Sequence, residues 1–247
     1  MIGNTTTGSS GMGWNSAPLT VVIPALNEAG RLPLLLADIA QAPAALIQAV
    51  VVVDGGSEDG SQQLARFGGA QLLRSSAGRG QQLQRGVALS QSPWLLLLHA
   101  DARLGANWWR GVQQALAAEE ATWAFDLVID APGLMLRLLE RAVWLRSRLW
   151  RLPYGDQGLL LPRGLLDRAG GIPPLPLMED LVLIQRLQLL APVRSLNQPI
   201  RVDGRRWQRL GVWQTTWRNA RLRRAWRCGA RPAELAGLYY SRAVDST

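Results

Sequence analysis

A chain of 247 residues can bury a full core as one large α/β domain, and its 27 basic residues are all arginine, which excludes a P-loop lysine and a Schiff-base lysine. The single cysteine, Cys228, excludes an internal disulfide and a cysteine zinc cluster. The net charge of +9 is uneven: residues 1–133 hold 7 Arg against 10 acids, a net −3, while residues 134–247 hold 20 Arg against 8 acids, a net +12, so the carboxyl half should face something anionic, whether diphosphate, lipid headgroup or nucleic acid.

The opening MIGNTTTGSSGMGWNS has neither a basic start nor an apolar core, so residues 1–17 are expected to be a disordered lead-in rather than a signal peptide. No uncharged apolar run reaches the roughly 18 residues needed to span a bilayer. A cytoplasmic protein is expected, free or peripheral at the inner face of the membrane.

LTVVIPALN (19–27) is a β-branched run closed by Pro24, and EAGRLPLLLADIAQ after it has helical spacing. IQAVVVVDGGSEDGS repeats the sentence as strand, glycine-rich turn and helix. AQLLRSS leads through AGRG into the helix QQLQRGVALSQ, and PWLLLLHAD is a fourth strand. Alternation without hairpin signals predicts right-handed crossovers and a mostly parallel sheet, with ligands at the carboxyl ends of its strands. Those ends carry PALNE, DGGSED, SSAGRG and HADAR, which should converge on one crevice. Farther along, ATWAFDLVID reads as a strand, GLMLRLLERAVWLRSRLW as a basic helix, and GDQGLLLP as a short strand between turns. MEDLVLIQRLQLL reads as a helix opening on two acids, residues 193–203 as a strand pair, and 208–227 as an arginine and tryptophan helix.

The dinucleotide fingerprint that such an architecture invites is missing: GRGQQL has Leu83 where the third glycine belongs, and DGGSEDG has the wrong spacing. No G-x-S-x-G elbow occurs, and the one histidine lies beside an aspartate rather than in a triad. Acids at strand ends remain: Asp54, Asp101 and the pair Glu179, Asp180. Ionised carboxylates gathered at one sheet edge need a metal, an arginine or solvent. Each acid also has a plain structural reading. Asp54 can cap the DGGS turn, Asp101 can pair with Arg103, and Glu179 and Asp180 can complement a helix dipole.

In order and spacing, VVIPALNE, VVVDGGSEDGS, GRGQQLQRGVALS, LLLLHADARL, YGDQGLLLPRGLLDRAGGIP and PLMEDLVL resemble the family-2 glycosyltransferases over roughly residues 19–190. The nearest likeness is to small bacterial members with HAD at the metal site, an ED pair and a terminal RRW segment, some of them assigned to arsenosugar synthesis. The resemblance implies a GT-A fold, a Rossmann-like sheet flanked by helices, as a single domain over 18–247. Its nucleotide-binding half would be 18–104, and its acceptor half with the basic helices 105–247. It further implies a nucleotide diphosphate sugar donor. Pro24, Ala25, Asn27 and Glu28 would line the nucleoside pocket, with Asp54 on the base edge and Arg79 on nucleoside or phosphates. Ala100 and Asp101 would stand at the diphosphate, with Asp101 holding a divalent cation, Mn²⁺ or Mg²⁺. Asp180 would be the general base of an inverting transfer to a hydroxyl, with Glu179 beside it. Gly155, Asp156 and Gln157, and the late Arg205, Arg206 and Trp207, would serve acceptor or diphosphate.

Two departures from the family pattern carry expectations of their own. His99 stands where most relatives have an acid, so it is either a ligand that favours Mn²⁺ or a structural histidine. Arg103 replaces a second acid and would touch a phosphate. In the two basic helices, Leu138, Arg141, Leu145 and Arg148, and Trp213, Trp217 and Ala220, should form core-facing stripes with solvated arginines opposite. The alternative for these helices is an interface with anionic lipid and a lipid-linked acceptor. For the whole chain the alternatives are a nucleic-acid or membrane binding module and a nucleotide-sugar binder without turnover. No nucleic acid is expected as partner, since that reading leaves the acids at the strand ends unexplained.

Overall fold

In the computed structural model, residues 17–204, 211–232, 234–235 and 237 are described. One sheet of eight strands organises them, in the order β3-β2-β1-β4-β7-β6-β8-β5. The strands are β1 (Leu19–Ala25), β2 (Ile47–Asp54), β3 (Gln71–Arg74), β4 (Trp94–Leu97), β5 (Ala102–Leu104), β6 (Thr122–Asp130), β7 (Leu159–Pro162) and β8 (Val193–Asp203). The first four are mutually parallel, as the alternating pattern predicts, and β7 runs against both β4 and β6. The helices are α1 (Leu32–Ile39), α2 (Ser61–Phe67), α3 (Arg79–Leu89), α4 (Trp108–Leu116), α5 (Leu134–Leu149), α6 (Arg163–Arg168), α7 (Glu179–Gln188) and α8 (Val212–Arg227), with a 3₁₀ turn at Gly155–Gln157.

The leucine run before His99 belongs to the middle of this sheet. Leu96 and Leu98 point into one apolar layer with Leu19, Val21, Ile23, Leu35, Trp108 and Phe125, whereas Leu95 and Leu97 point into the other with Val22, Val53, Leu83, Leu165 and Ile184. A strand covered on both faces has no polar side, which is why alternation is lost. The Leu98 N–H still donates to Val22 O at 3.1 Å, so polar residues begin only where the paired backbone stops.

Two elements escape the sequence pattern. β5 is only three residues long and pairs antiparallel with β8. The helix α4 buries Trp108, Val112, Ala115 and Leu116, which stand at helical spacing, and Trp108 Nε1 donates to Asp38 O at 3.0 Å. The expected strand pair at 193–203 is instead one strand of 11 residues, irregular where its register with β6 slips between Ala124 and Asp126. Asn197 with φ of 52° lies in that stretch, so the kink that resembles a turn in sequence is absorbed without ending the strand.

α3 lies unusually close to its neighbours. A Cβ on Gly86 would collide with Val22 and stand 2.9 Å from Val53 Cγ2, and one on Gly80 would lie 2.5 Å from Leu175 O and 2.7 Å from Leu175 N. These two glycines let α3 pack directly on β1 and β2 and on the segment leading to α7.

Candidate active site

The first expected cluster lies at the carboxyl ends of β1 and β2. Asp54 is buried, and its Oδ2 accepts from Gly56 N at 2.9 Å, Ser57 N at 3.0 Å and Gln62 Nε2 at 2.9 Å. The turn-capping reading therefore accounts for one oxygen. Oδ1 is buried with no hydrogen-bond partner, leaving an acceptor of the kind a donor group on a ligand would satisfy. Asn27, with φ of 54°, accepts from Glu58 N at 3.0 Å, and its own N–H donates to Ser57 Oγ at 2.8 Å, clasping the β1 loop to the β2 loop. Pro24 and Ala25 are buried within β1 itself. Gln82 completes this edge: its Nε2 donates to Ala25 O at 2.9 Å and Val53 O at 2.7 Å, tying the two strand ends together.

The second cluster follows β4, about 10 Å away at two strand spacings. Asp101 borders a hollow of about 240 Å³ together with Arg31, Arg103, Asp130 and Asp203, while Ala100 is buried behind it. Glu28 is pushed up to about 7 by burial and then by the Asp101 charge. A carboxyl group whose proton affinity is raised by a neighbouring acid marks a place that a cation would relieve. Among the described residues no group of three or more histidines, cysteines or acids could hold a metal ion. A hard divalent cation at Asp101 would thus need oxygens from a ligand or water as well, a donor set that suits Mg²⁺ or Mn²⁺.

His99 is held neutral, down to about 4, by burial, then by the Arg79 charge, and against the pull of Asp101 and Asp180. Its ring lines a small hollow of about 20 Å³ with Gly155, Glu179, Asp180 and the apolar Leu83, Leu98 and Leu183. A Cβ on Gly155 would stand 3.0 Å from His99 Nε2 and 3.2 Å from Asp180 Oδ2, so the glycine is what lets these groups approach. Asp180 Oδ2 accepts from Gly155 N at 2.8 Å and Oδ1 from Leu181 N at 2.8 Å, fixing the carboxylate in the first turn of α7. The helix-dipole reading of Glu179 and Asp180 is correct as to place. It does not explain the burial of Glu179, whose side chain is 2% exposed and whose Oε1 lies 3.0 Å from Arg79 Nε. That contact is close enough for an ion pair, but it lacks hydrogen-bond alignment, and Glu179 Oε2 also has no hydrogen-bond partner. Burial raises Glu179 above the usual carboxylate range, against the pull of Arg79.

The 3₁₀ turn brings in Asp156, pushed up to about 6 by burial, against Arg146 and with the added repulsion of Asp180. Its Oδ1 is buried and unpaired. Gln157 has a different task from the one expected of it. Its Oε1 accepts from Arg146 at 3.1 Å, Ser147 Oγ at 2.9 Å and Tyr154 N at 3.3 Å, and its Nε2 donates to Phe125 O at 3.0 Å. With these bonds inside the fold, Gln157 holds the turn rather than a ligand. Arg103 forms a bidentate pair with Asp38, at 2.6 and 3.0 Å, which also accepts from Leu104 N, so Nε and one Nη of its guanidinium are held by the scaffold while the side chain borders the Asp101 hollow. Arg205, Arg206 and Trp207 lie outside the described residues.

Arg146, which the sequence reading passed over, stacks on Tyr154 with its guanidinium carbon 3.6 Å from the ring centroid. Burial draws its proton affinity down. α8 packs on this corner through Leu222, Ala225 and Trp226, which meet Leu177, Met178, Leu181 and Tyr154. It also brings Arg223 to 5.4 Å from the Tyr154 ring. The expected core stripe of α8 is therefore misplaced, since Trp217 is 62% exposed and Ala220 is exposed. The side chain of Trp213 lies outside the described residues. Gln82, Arg146, Tyr154 and Arg223 are thus the residues of this site that sequence reasoning missed. The first two lie on helices whose faces were not resolved by pattern, and the others depend on long-range packing.

Asp101 and Asp180 are joined through shared neighbours, since both act on His99 and Asp156, while Asp54 stands apart at the β2 end. Residues 20–171 match the family model described as glycosyl transferase family 2. S. aureus TarS superposes with a TM-score of 0.60 at 15% identity, over 75% of this chain and 36% of that chain. Glucosyl-3-phosphoglycerate synthase from Mycobacterium tuberculosis, in complex with Mn²⁺ and UDP-glucose, superposes with a TM-score of 0.56 at 20% identity, over 76% of this chain and 70% of that one. The present chain thus spans little more than a third of TarS. No curated protein sequence matches it. The sheet of eight strands with its flanking helices is the GT-A arrangement of these neighbours. With well over half its length matched by the model, the chain belongs to glycosyl transferase family 2.

Proposed function

We propose that the protein moves a sugar from a nucleotide diphosphate sugar to an acceptor hydroxyl by a metal-dependent, inverting displacement. The observation that carries this reading is the convergence of Asp101, Asp180 and Arg79 on both His99 and Asp156, with Asp180 Oδ2 and His99 Nε2 meeting beside Gly155. The neighbour bound to Mn²⁺ and UDP-glucose lends it support. The base would meet the free Oδ1 of Asp54, beside Asn27 and the strand ends tied by Gln82. Glu28 and Asp101 would hold the cation at the diphosphate, with His99 close by, and the cation's chemistry there is to neutralise charge on the leaving group.

Asp180 takes the acceptor's hydroxyl proton as that oxygen bonds to the anomeric carbon, and the bond to the diphosphate oxygen breaks with its electron pair leaving on the diphosphate. Gly155 N–H keeps the carboxylate aimed while this happens. Arg79 and Arg146 balance the negative charge that accumulates among the acids. The leucines behind His99 keep the sugar's side of the crevice dry. The boundary between a donor half, 18–104, and an acceptor half, 105–247, follows from the same reading, and the arsenosugar likeness rests on the HAD, ED and RRW motifs alone.

Calorimetric titration of UDP-, GDP-, CDP- and dTDP-sugars with Mn²⁺ identifies the donor. Asp180→Asn should then leave donor affinity within about twofold and reduce turnover by at least 10³-fold. Loss of donor binding in step with turnover would remove Asp180 from the base role.

A further inference from the structure

α5 is expected from its pattern to bury a stripe, yet it buries only Leu136 and Val143. Its outward face is apolar. Leu134 is 74% exposed, Leu138 49%, Leu145 44% and Leu149 64%, and Met135, Trp144 and Trp150 beside them are exposed as well. At 100° per residue, the four leucines fall within an arc of about 60°. Arg137, Arg141 and Arg148 lie along one flank of that arc, and Arg151 lies just past the helix end. The only acid of the helix, Glu140, is turned inward and bonds Ile129 N and Arg137. No described segment covers the stripe.

An apolar stripe of this size on a soluble surface marks an interface. Its charge decides between partners. A second copy of the chain would set arginines against arginines with no acid on the face to receive them, a pairing that costs rather than stabilises. A surface that is apolar inside and anionic at its rim satisfies both parts of α5, and exposed tryptophans suit the boundary between headgroup and acyl chain.

We propose that the outward face of α5 docks the enzyme on an anionic lipid bilayer, with Leu134, Leu138, Leu145 and Leu149 entering the acyl boundary and Arg141 and Arg151 meeting lipid phosphates, while Arg148 stays paired with Asn197 and Asp126. This uses none of the residues assigned to transfer. Arg146 lies on an adjoining face of the same helix, about 90° round from the leucines, so docking would hold the Tyr154 and Asp156 corner of the crevice near the bilayer, where an acceptor anchored in lipid presents its hydroxyl.

Flotation with vesicles of phosphatidylcholine containing 30% phosphatidylglycerol, against phosphatidylcholine alone, tests the proposal without donor or acceptor. The full chain should float with the anionic vesicles at low salt and not with the neutral ones. The exposed double change Leu138→Glu and Leu145→Glu should weaken flotation at least tenfold with the melting temperature unchanged, and Leu149→Glu alone should weaken it in the same direction. Absence of binding by the unaltered chain, or equal flotation of the leucine variants, would overturn it, the latter leaving only diffuse attraction by the positive charge. A dimer that the leucine changes convert to monomer, without vesicle binding, would assign the face to a second copy instead.

Discussion

Replacing Arg79 with glutamine removes the charge that faces Glu179, a carboxylate whose side chain is 2% exposed and 3.0 Å from the guanidinium. Breaking one partner out of a buried pair costs about 3–5 kcal/mol when the remaining group stays ionised. In a chain of this length each kcal/mol lowers the melting temperature by roughly 2–4 °C, so Arg79→Gln should lose roughly 6–20 °C. Glu179→Gln should cost much less, because Arg79 keeps a 27% exposed route to solvent. The double variant should recover most of the Arg79→Gln loss, giving a coupling above about 1.5 kcal/mol by calorimetry. The sign with pH follows from the raised proton affinity of Glu179: without Arg79 its acid form is favoured still more in the fold, so the loss should be greatest at pH 8 and shrink as pH falls toward 5. Additive single changes, or a loss independent of pH, would refute the argument that this ion pair neutralises a buried charge.

Gly155→Ala should lower turnover by about tenfold with donor affinity kept, since a methyl 3.0–3.3 Å from His99 Nε2 and Asp180 must displace one of them by a few tenths of an ångström; steady-state rates beside donor titration decide it, and an unchanged rate would show that this spacing does not matter. Asp156→Asn removes a carboxyl pushed up to about 6 in the fold, a group whose protonated form is favoured there, so the variant should gain stability relative to the parent by about 1 kcal/mol between pH 5 and pH 7.5, read by thermal melts at both values.

Much of the parallel half of the sheet was legible because parallel strands leave strong marks. The β1, β2 and β4 runs are apolar and end on turn residues, so Asp54 and Asp101 could be placed at strand ends before any packing was known. The acids at 179 and 180 were legible for the same reason, as they open a periodic helix. Elsewhere the governing contacts are distant in sequence. Nothing local shows that Arg103 is bound to Asp38 across 65 residues. Gln157 reads as a polar turn residue, and only the fold places Phe125 O and Arg146 around it. β5 is too short to show alternation, and in α5 and α8 pattern alone could not tell a face that packs from one that does not.

The two glycine contacts of α3 leave the helix no clearance against either the strands beneath it or the segment leading to α7. It behaves as a rigid strut whose tip is Arg79, so the distance between the β1 and β2 ends of the sheet and the Glu179 corner is a fixed gauge. If the crevice takes a sugar as proposed, changes that fit it to a bulkier ligand therefore have to come from the Tyr154 side, where the walls are side chains that can be exchanged one at a time.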